Sequence, residues 1–276
     1  MNFIFDMKMI QASVVQRGYD PTRLPLGQIS KETILDGYRI LKEIEQVIAG
    51  TKVGNLDDLS GSFYSCIPHN YGRQKMSNFV IRTNDDLKDK MDLVQNLADI
   101  KIAQEMVDEE EKKQEEVKKG APIPKKPSIE DENYSKLNCR VETLQPGSAE
   151  HIMVKTYLDN TKGGSGWSYN RLELIDAFKI ERPGEAERYN PNGYGNKMLL
   201  WHGSRFSNFV GILSQGLRIA PAEAPKTGYN FDKGVYLASM AEKSSAYCCA
   251  SISNNVGLLL LCEAALGNTK VYSSFY

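Results

Sequence analysis

The sequence has little net charge and no long apolar run. Its net charge is −1 over 276 residues, so there is no overall basic field to hold nucleic acid. No apolar stretch approaches the length of a membrane-spanning helix, and Asp6 and Lys8 interrupt the apolar N-terminus before a signal-peptide core forms. These absences predict a soluble intracellular chain that makes no membrane contact. Any DNA contact must come from a local patch or from another part of a longer protein.

Histidine and paired cysteine are also scarce. The chain has 3 histidines and 5 cysteines, and the cysteines lack the paired spacing of metal ligands. We expect reduced thiols and no bound metal. The sequence also lacks the Gly-rich strand–turn–helix signature of dinucleotide-binding oxidoreductases and a Gly-rich phosphate loop. These absences argue against an oxidoreductase of that kind and against phosphoryl transfer.

Helical spacing dominates the first hundred residues. Ser30 is a candidate N-cap, apolar side chains recur at helical spacing after it, and Gly50 is a natural stop. A second amphipathic helix is predicted over residues 85–107. The charged run at 108–119 is compatible with an extension of this helix into solvent, and the Pro/Gly-rich segment at 120–127 must break the helix. Together the two stretches predict a linker.

From Tyr134 onward the pattern changes to that of strands. Apolar and mainly polar residues alternate over 172–180, which is typical of a half-buried strand. The stretches 197–204 and 234–240 predict two further strands, and the apolar run 257–266 predicts an interior one. Short helices are predicted between them.

The change of pattern divides the chain into domains. We predict an N-terminal all-α helical bundle over residues 1–107, a linker over 108–133 and an α+β domain over 134–276. The fold class is therefore α+β multidomain.

One candidate site lies in the second half of the chain. A predicted strand ends in His202, Gly203 and Ser204, and Tyr236 and Tyr247 follow on the next two elements. This set offers an imidazole, a hydroxyl, two phenol rings and close backbone access at a glycine. It suits a flat aromatic amide that carries a ribose.

Several blocks in this order resemble the signature of the poly(ADP-ribose) polymerase family. In the second half they are Leu199-Leu-Trp-His-Gly-Ser-Arg205, Gly211-Ile-Leu-Ser-Gln-Gly-Leu-Arg-Ile-Ala220, Gly234-Val-Tyr236, Ala246-Tyr-Cys248 and Ala265-Leu-Gly-Asn268. In the first half, Leu24-Pro-Leu-Gly27 and Ile67-Pro-His-Asn-Tyr-Gly72 resemble the helical regulatory domain of the DNA-damage-responsive members. The resemblance implies a regulatory domain, an ADP-ribosyltransferase catalytic domain that is incomplete at its C-terminus, and a nuclear location.

The resemblance implies a role for each residue at the nicotinamide end of the site. Gly203 would grip the nicotinamide carboxamide, and His202 would hold a ribose hydroxyl. Ser244 would assist the amide, and Tyr247 would stack on the nicotinamide ring. Ser204 would contribute its hydroxyl to the cofactor-binding set.

The remaining implied roles concern the reacting centre and the adenosine end. Tyr236 would be the second member of a His-Tyr-Glu constellation, and Lys243 would lie beside the catalytic carboxylate. We therefore name His202, Tyr236 and Lys243 as the catalytic set. Asn208 and Arg218 would face the adenosine.

The implied reaction uses NAD+ as a substrate and needs no metal. Nicotinamide leaves the ribose, positive charge develops on the sugar, and an acceptor group attacks. The implied acceptors are proteins: the chain itself, histones or other chromatin proteins. The glutamate that activates the acceptor lies on a later strand in the family, whereas Glu263 is the last acidic residue here. We therefore expect little or no transfer by these residues alone. The alternative is a silent family member that serves as an NAD-pocket remnant or an interaction module.

Three smaller departures from the family pattern remain, among them Ser239 where the family often has aspartate, and none removes a named ligand. Asp232 stands where the family usually has glycine, and Gln95 occupies a position that is often acidic. His69 and His151 have no setting like that of His202, so we assign both to structural or surface positions.

Overall fold

The computed structural model describes residues 4–117, 128–163, 172–189, 191–226 and 232–272. Helices make up the N-terminal part, and the main ones are α1 (Met7–Val15), α2 (Lys31–Ile48), α3 (Leu56–Cys66) and α4 (Asn84–Val117). Short 3-10 turns lie at Leu26–Gln28 and Met76–Phe79. The helical bundle expected from the sequence is confirmed.

Side-chain caps set where the two long helices begin. The Ser30 hydroxyl accepts a hydrogen bond from the Thr33 N–H at 3.0 Å, as the N-cap prediction requires. At the start of α4, Thr83 and Asp86 form a reciprocal capping box with distances of 3.0 and 3.1 Å. Helix α4 runs on to Val117, through most of the charged run. The Pro/Gly-rich segment after it lies outside the described residues.

The apolar faces of α2 and α4 form the core of the helical part. Leu41 and Ile44 of α2 are fully buried, as are Leu87, Val94 and Leu97 of α4. Burial of such side chains contributes roughly 1.5–3 kcal/mol each. In the described part of the chain, no helix combines the length and apolar character that crossing a membrane requires.

The C-terminal part combines short helices with two small antiparallel sheets. Its helices are α5 (Ile129–Lys136), α6 (Ala149–Thr161), α7 (Glu185–Arg188), α8 (Pro191–Tyr194), α9 (Phe209–Gln215) and α10 (Ala241–Ser245). Strand β1 (Arg140–Thr143) pairs with β2 (Phe178–Glu181), and β3 (Lys197–Ser204) pairs with β4 (Leu258–Ala265). The α+β fold class is confirmed, as are the strands predicted at 197–204 and 257–266. Among the described residues β4 pairs with β3 alone, so its predicted interior position is not borne out.

Two strand predictions need correction. Residues 234–240 do not form a strand, and their single β-bridge joins Ala238 to Trp201. The Tyr236 carbonyl contacts the ring of His202, so the ladder does not extend past this bridge. The alternating stretch at 172–180 forms a strand only from Phe178, which pairs with Thr143 at the end of β1, while Leu172 and Leu174 pack against the cluster around Trp201.

Candidate active site

Strand β3 carries the central residues of the site and uses its two edges differently. One edge pairs with β4, where His202 faces Leu260. On the opposite edge Trp201 exchanges two backbone hydrogen bonds with Ala238, at 2.8 and 2.9 Å. Successive residues of a strand point their N–H and C=O groups to opposite edges. The N–H and C=O of Gly203 therefore point the same way as those of Trp201, away from β4.

Gly203 is required for packing as well as for backbone access. A Cβ at this position would overlap the carbonyl oxygen of Ser244 on α10. Ser244 is buried, and its hydroxyl donates a hydrogen bond to the Trp201 carbonyl at 3.0 Å. Helix α10 thus lies directly against β3, and only glycine permits this approach.

The hydrogen bond of His202 fixes which ring nitrogen carries the proton. Nδ1 lies 3.0 Å from the backbone carbonyl of Tyr236. A carbonyl oxygen only accepts, so Nδ1 is the donor, and in the neutral ring Nε2 is left as an acceptor. The Tyr236 hydroxyl in turn donates to the Asp232 carbonyl at 2.7 Å.

Six of the residues singled out in the sequence line one cavity of about 270 Å³ between the helical and the α+β parts. They are His202, Ser204, Asn208, Arg218, Tyr236 and Tyr247. Tyr247 is 59% exposed, so its side chain is accessible to a ligand in the cavity. Gly203, Ser244 and Lys243 are not among the residues that line the cavity; Ser244 is buried and Lys243 lies exposed on α10.

Helix α4 forms the opposite wall and contacts two of these residues directly. Asp99 forms an ion pair with Arg218 at 2.7 Å. The Asn208 amide donates to the side chains of Asn96 at 3.1 Å and Ser204 at 3.0 Å. Asp99 is only 6% exposed, and this burial raises the pKa of its carboxyl to about 6 although Arg218 opposes the shift.

From the sequence we did not identify two residues of α4 that contact side chains of the cavity, Asn96 and Asp99, or the role of Gln95 beside them. The available signal was two polar residues three positions apart inside the apolar stripe of α4, where they share one helix face. Gln95 links α2 to this face, since it accepts from the Tyr38 hydroxyl at 3.0 Å and donates to Asp99 at 3.2 Å.

The thiols and acidic residues do not suggest a metal centre. Among the described residues, no three His, Cys, Asp or Glu side chains lie close enough together to hold a metal ion. All five cysteines are unpaired. Cys248 lies beneath Gly203, and burial raises the pKa of its thiol to about 11.

The fold and the cavity together indicate a class of protein, one that binds a nucleotide between two domains. A helical domain lies against an α+β domain, and the cavity between them offers an imidazole acceptor, two phenol rings and a guanidinium. Such a set suits a nucleotide that carries an aromatic amide.

Comparison with known proteins agrees with this class. The family model for the poly(ADP-ribose) polymerase regulatory domain matches residues 1–126, and the model for the poly(ADP-ribose) polymerase catalytic domain matches residues 148–275. The chain therefore belongs to the poly(ADP-ribose) polymerase family.

Named relatives extend over almost the whole chain. Poly [ADP-ribose] polymerase 2-B of Oryza sativa subsp. japonica is 44% identical over 100% of this chain, which spans 44% of that protein. Poly [ADP-ribose] polymerase 2 of Arabidopsis thaliana is 41% identical over 100% of this chain and 42% of its own length. Poly [ADP-ribose] polymerase 1 of Danio rerio is 40% identical over 97% of this chain and 25% of its own length. The chain thus spans less than half the length of these relatives.

Proposed function

We propose that this chain binds NAD+ in the cavity between its two domains and that the whole protein transfers ADP-ribose from NAD+ to protein acceptors, releasing nicotinamide. The observation that carries the proposal is the cavity that joins His202, Tyr236 and Tyr247 to Asn208 and Arg218. Family membership supports the reaction type.

We propose the following placement for the nicotinamide half of NAD+. The N–H and C=O of Gly203 point away from β4 and pair with the carboxamide, while the exposed ring of Tyr247 stacks on the nicotinamide. The Nε2 of His202 accepts a hydrogen bond from a ribose hydroxyl. Ser244 supports this arrangement through its hydrogen bond to Trp201.

The other half of the nucleotide lies toward α4. Arg218 and Asn208 face the adenosine, and both are already held by α4 through Asp99 and Asn96. Binding of the adenosine therefore requires these contacts to loosen. Lys243 is proposed to lie beside the carboxylate that activates the acceptor.

Catalysis is proposed to come from orientation and from stabilisation of the positive charge that develops on the ribose. Among the described residues that line the cavity, the acidic side chains are Asp92 and Asp99, and both come from α4. We therefore propose that another carboxylate activates the acceptor, and that residues 1–276 alone transfer little or no ADP-ribose. The same observation favours a second candidate function, a binding module without catalysis.

The acceptors are proposed to be proteins: the protein itself, histones or other chromatin proteins in the nucleus. DNA damage is proposed as the activating signal, received through modules outside these residues. The net charge of −1 supports this division, because the chain has no overall basic field of its own.

The test is transfer of label from adenylate-labelled NAD+ to the purified chain and to added histones, with His202→Ala as control. Circular dichroism establishes that both proteins are folded. We expect no label from the 276-residue chain and label from a longer form that supplies the carboxylate. Label on the 276-residue chain that depends on His202 would show that another group in this chain activates the acceptor.

A further inference from the structure

A continuous series of polar contacts runs from the helical domain to His202. It begins on α2, where the Glu45 carboxylate accepts the backbone N–H of Lys226 at 2.8 Å. The Lys226 ammonium pairs with the Asp232 carboxylate at 3.0 Å. The Asp232 carbonyl accepts the Tyr236 hydroxyl at 2.7 Å, and the Tyr236 carbonyl accepts Nδ1–H of His202 at 3.0 Å.

Asp232 is the strained member of this series. Its backbone φ of +73° lies in the left-handed region, which residues other than glycine rarely adopt. Its carboxylate is held from two sides, by the Lys233 backbone N–H at 2.8 Å and by the Lys226 ammonium. The Lys233 N–H first, and the Lys226 ammonium next, lower the pKa of this carboxyl below its usual range. A strained residue that is held by its own side chain beside a binding cavity indicates a functional constraint.

Two further lysines tie the same region to its surroundings. The Lys233 ammonium donates to the Pro221 carbonyl at 2.6 Å, and the Lys42 ammonium of α2 donates to the Ala222 carbonyl at 3.0 Å. Ala224, between these carbonyls and Lys226, is fully buried in the core of the helical part. Lys226 is therefore anchored to α2, and Asp232 depends on Lys226 for its position.

We propose that Lys226 and Asp232 are positioning residues for the NAD+ site. Their ion pair holds the Asp232 carbonyl against the Tyr236 hydroxyl and thereby fixes the Tyr236–His202 contact that presents Nε2 to the ribose. Glu45 connects this pair to α2. The identity of the ligand, NAD+, rests on the proposed function, whereas the Tyr236–His202 contact is present without a ligand.

Because Lys226 and Asp232 are exposed opposite charges, the expected effect of breaking their pair on NAD+ affinity is small and depends on salt. Both side chains are more than half exposed, and exposed pairs of this kind contribute little, so removing one partner is expected to weaken NAD+ binding about three- to fivefold. Salt screens exposed charges, so the difference should shrink at about 0.5 M NaCl.

The experiment compares Lys226→Gln with the wild-type chain, with Lys226→Arg as the charge-conserving variant. Lys52→Gln is the matched control, because Lys52 also forms an exposed ion pair, with Glu43 of α2 at 2.6 Å, and takes no part in the series of contacts from Glu45 to His202. NAD+ affinity is measured by calorimetry at low and high salt. The imidazole nitrogens are observed by long-range proton–nitrogen NMR, which is tractable because the chain has 3 histidines.

We expect His202 in the wild type to show an Nδ1–H tautomer, and Lys226→Gln to lose part of that population and three- to fivefold in affinity (about 1 kcal/mol at most). Lys226→Arg should restore both, and Lys52→Gln should change neither. An unchanged His202 tautomer in Lys226→Gln, or an affinity loss that persists at high salt, overturns the proposal. If the wild type binds no NAD+, the proposed function fails, and the tautomer measurement still decides whether the pair positions His202.

Discussion

Asp99 on α4 forms a 2.7 Å ion pair with Arg218, so the helical domain holds a residue that we propose for adenosine binding. The pair is asymmetric, because Asp99 is almost fully buried while the side chain of Arg218 is 39% exposed. Movement of Arg218 toward a ligand would loosen the pair and leave Asp99 buried, with the Gln95 amide still donating to it. If the nucleotide binds as proposed, the helical domain and the nucleotide compete for this guanidinium.

This competition gives the first prediction. Asp99→Asn keeps the shape of the side chain and removes its charge, so Arg218 is released more easily. We expect NAD+ to bind up to about tenfold more tightly, as measured by calorimetry. Asp36→Asn breaks another Asp–Arg pair of the helical part, with Arg39 at 2.6 Å, and should leave the affinity unchanged. Equal affinities for Asp99→Asn and wild type would contradict the competition.

The buried carboxyl also makes stability depend on pH. The pKa of Asp99 rises from 3.8 to about 6 on folding, so the folded chain binds the proton more tightly than the unfolded chain. The stabilising contribution is complete below pH 3.8 and is lost as the pH rises through about 6, an effect of roughly 3 kcal/mol. Urea unfolding should therefore show Asp99→Asn gaining stability over wild type as the pH rises from about 4 to 7. A constant difference across this range would contradict the shift.

His69 has the opposite pH dependence in the helical core. Burial, and then the charge of Lys90, lower its pKa from 6.5 to about 4, and the ring packs against Tyr64 and Phe79. The contribution of neutral His69 to the free energy of unfolding is complete above pH 6.5. It is lost as the pH falls through about 4, and the loss is again roughly 3 kcal/mol. His69→Phe keeps an aromatic ring and should remove the loss of stability in acid.

Since His69 and Asp99 titrate over nearly the same range with opposite signs, their effects partly cancel in the wild type. His151→Phe is the matched control for His69→Phe, because it makes the same substitution at a partly exposed position at the start of α6. If His69→Phe and wild type lose stability in parallel below pH 6.5, the assignment to His69 is wrong.

Gly203 provides a steric prediction. Gly203→Ala places a methyl group against the Ser244 carbonyl, so α10 must move away from β3. We expect a loss of about 1–3 kcal/mol in stability and loss of NAD+ binding, measured by thermal unfolding and calorimetry. Gly27→Ala is the control, since a Cβ at Gly27 meets no heavy atom within 4 Å. A Gly203→Ala chain that binds NAD+ normally would show that α10 accommodates the methyl group without disturbing the site.

Local patterns in the sequence predicted much of the fold, because caps and apolar spacing act over a few residues. The N-cap at Ser30 and the strand at 197–204 are examples. The contacts of α4 with Asn208 and Arg218 join residues 112 and 119 positions apart, and no local pattern contains them. The missing strand at 234–240 depends on a side chain elsewhere, since the His202 ring engages the Tyr236 carbonyl.

The most direct test of the central claim is a calorimetric titration of NAD+ into the wild-type chain, His202→Ala and His151→Ala. We expect saturable binding at one site, an affinity at least about fivefold lower in His202→Ala, where a hydrogen bond to the ribose is lost, and no change in His151→Ala. Binding that is the same in all three chains, or absent from a folded wild-type chain, would contradict the assignment of this cavity to NAD+.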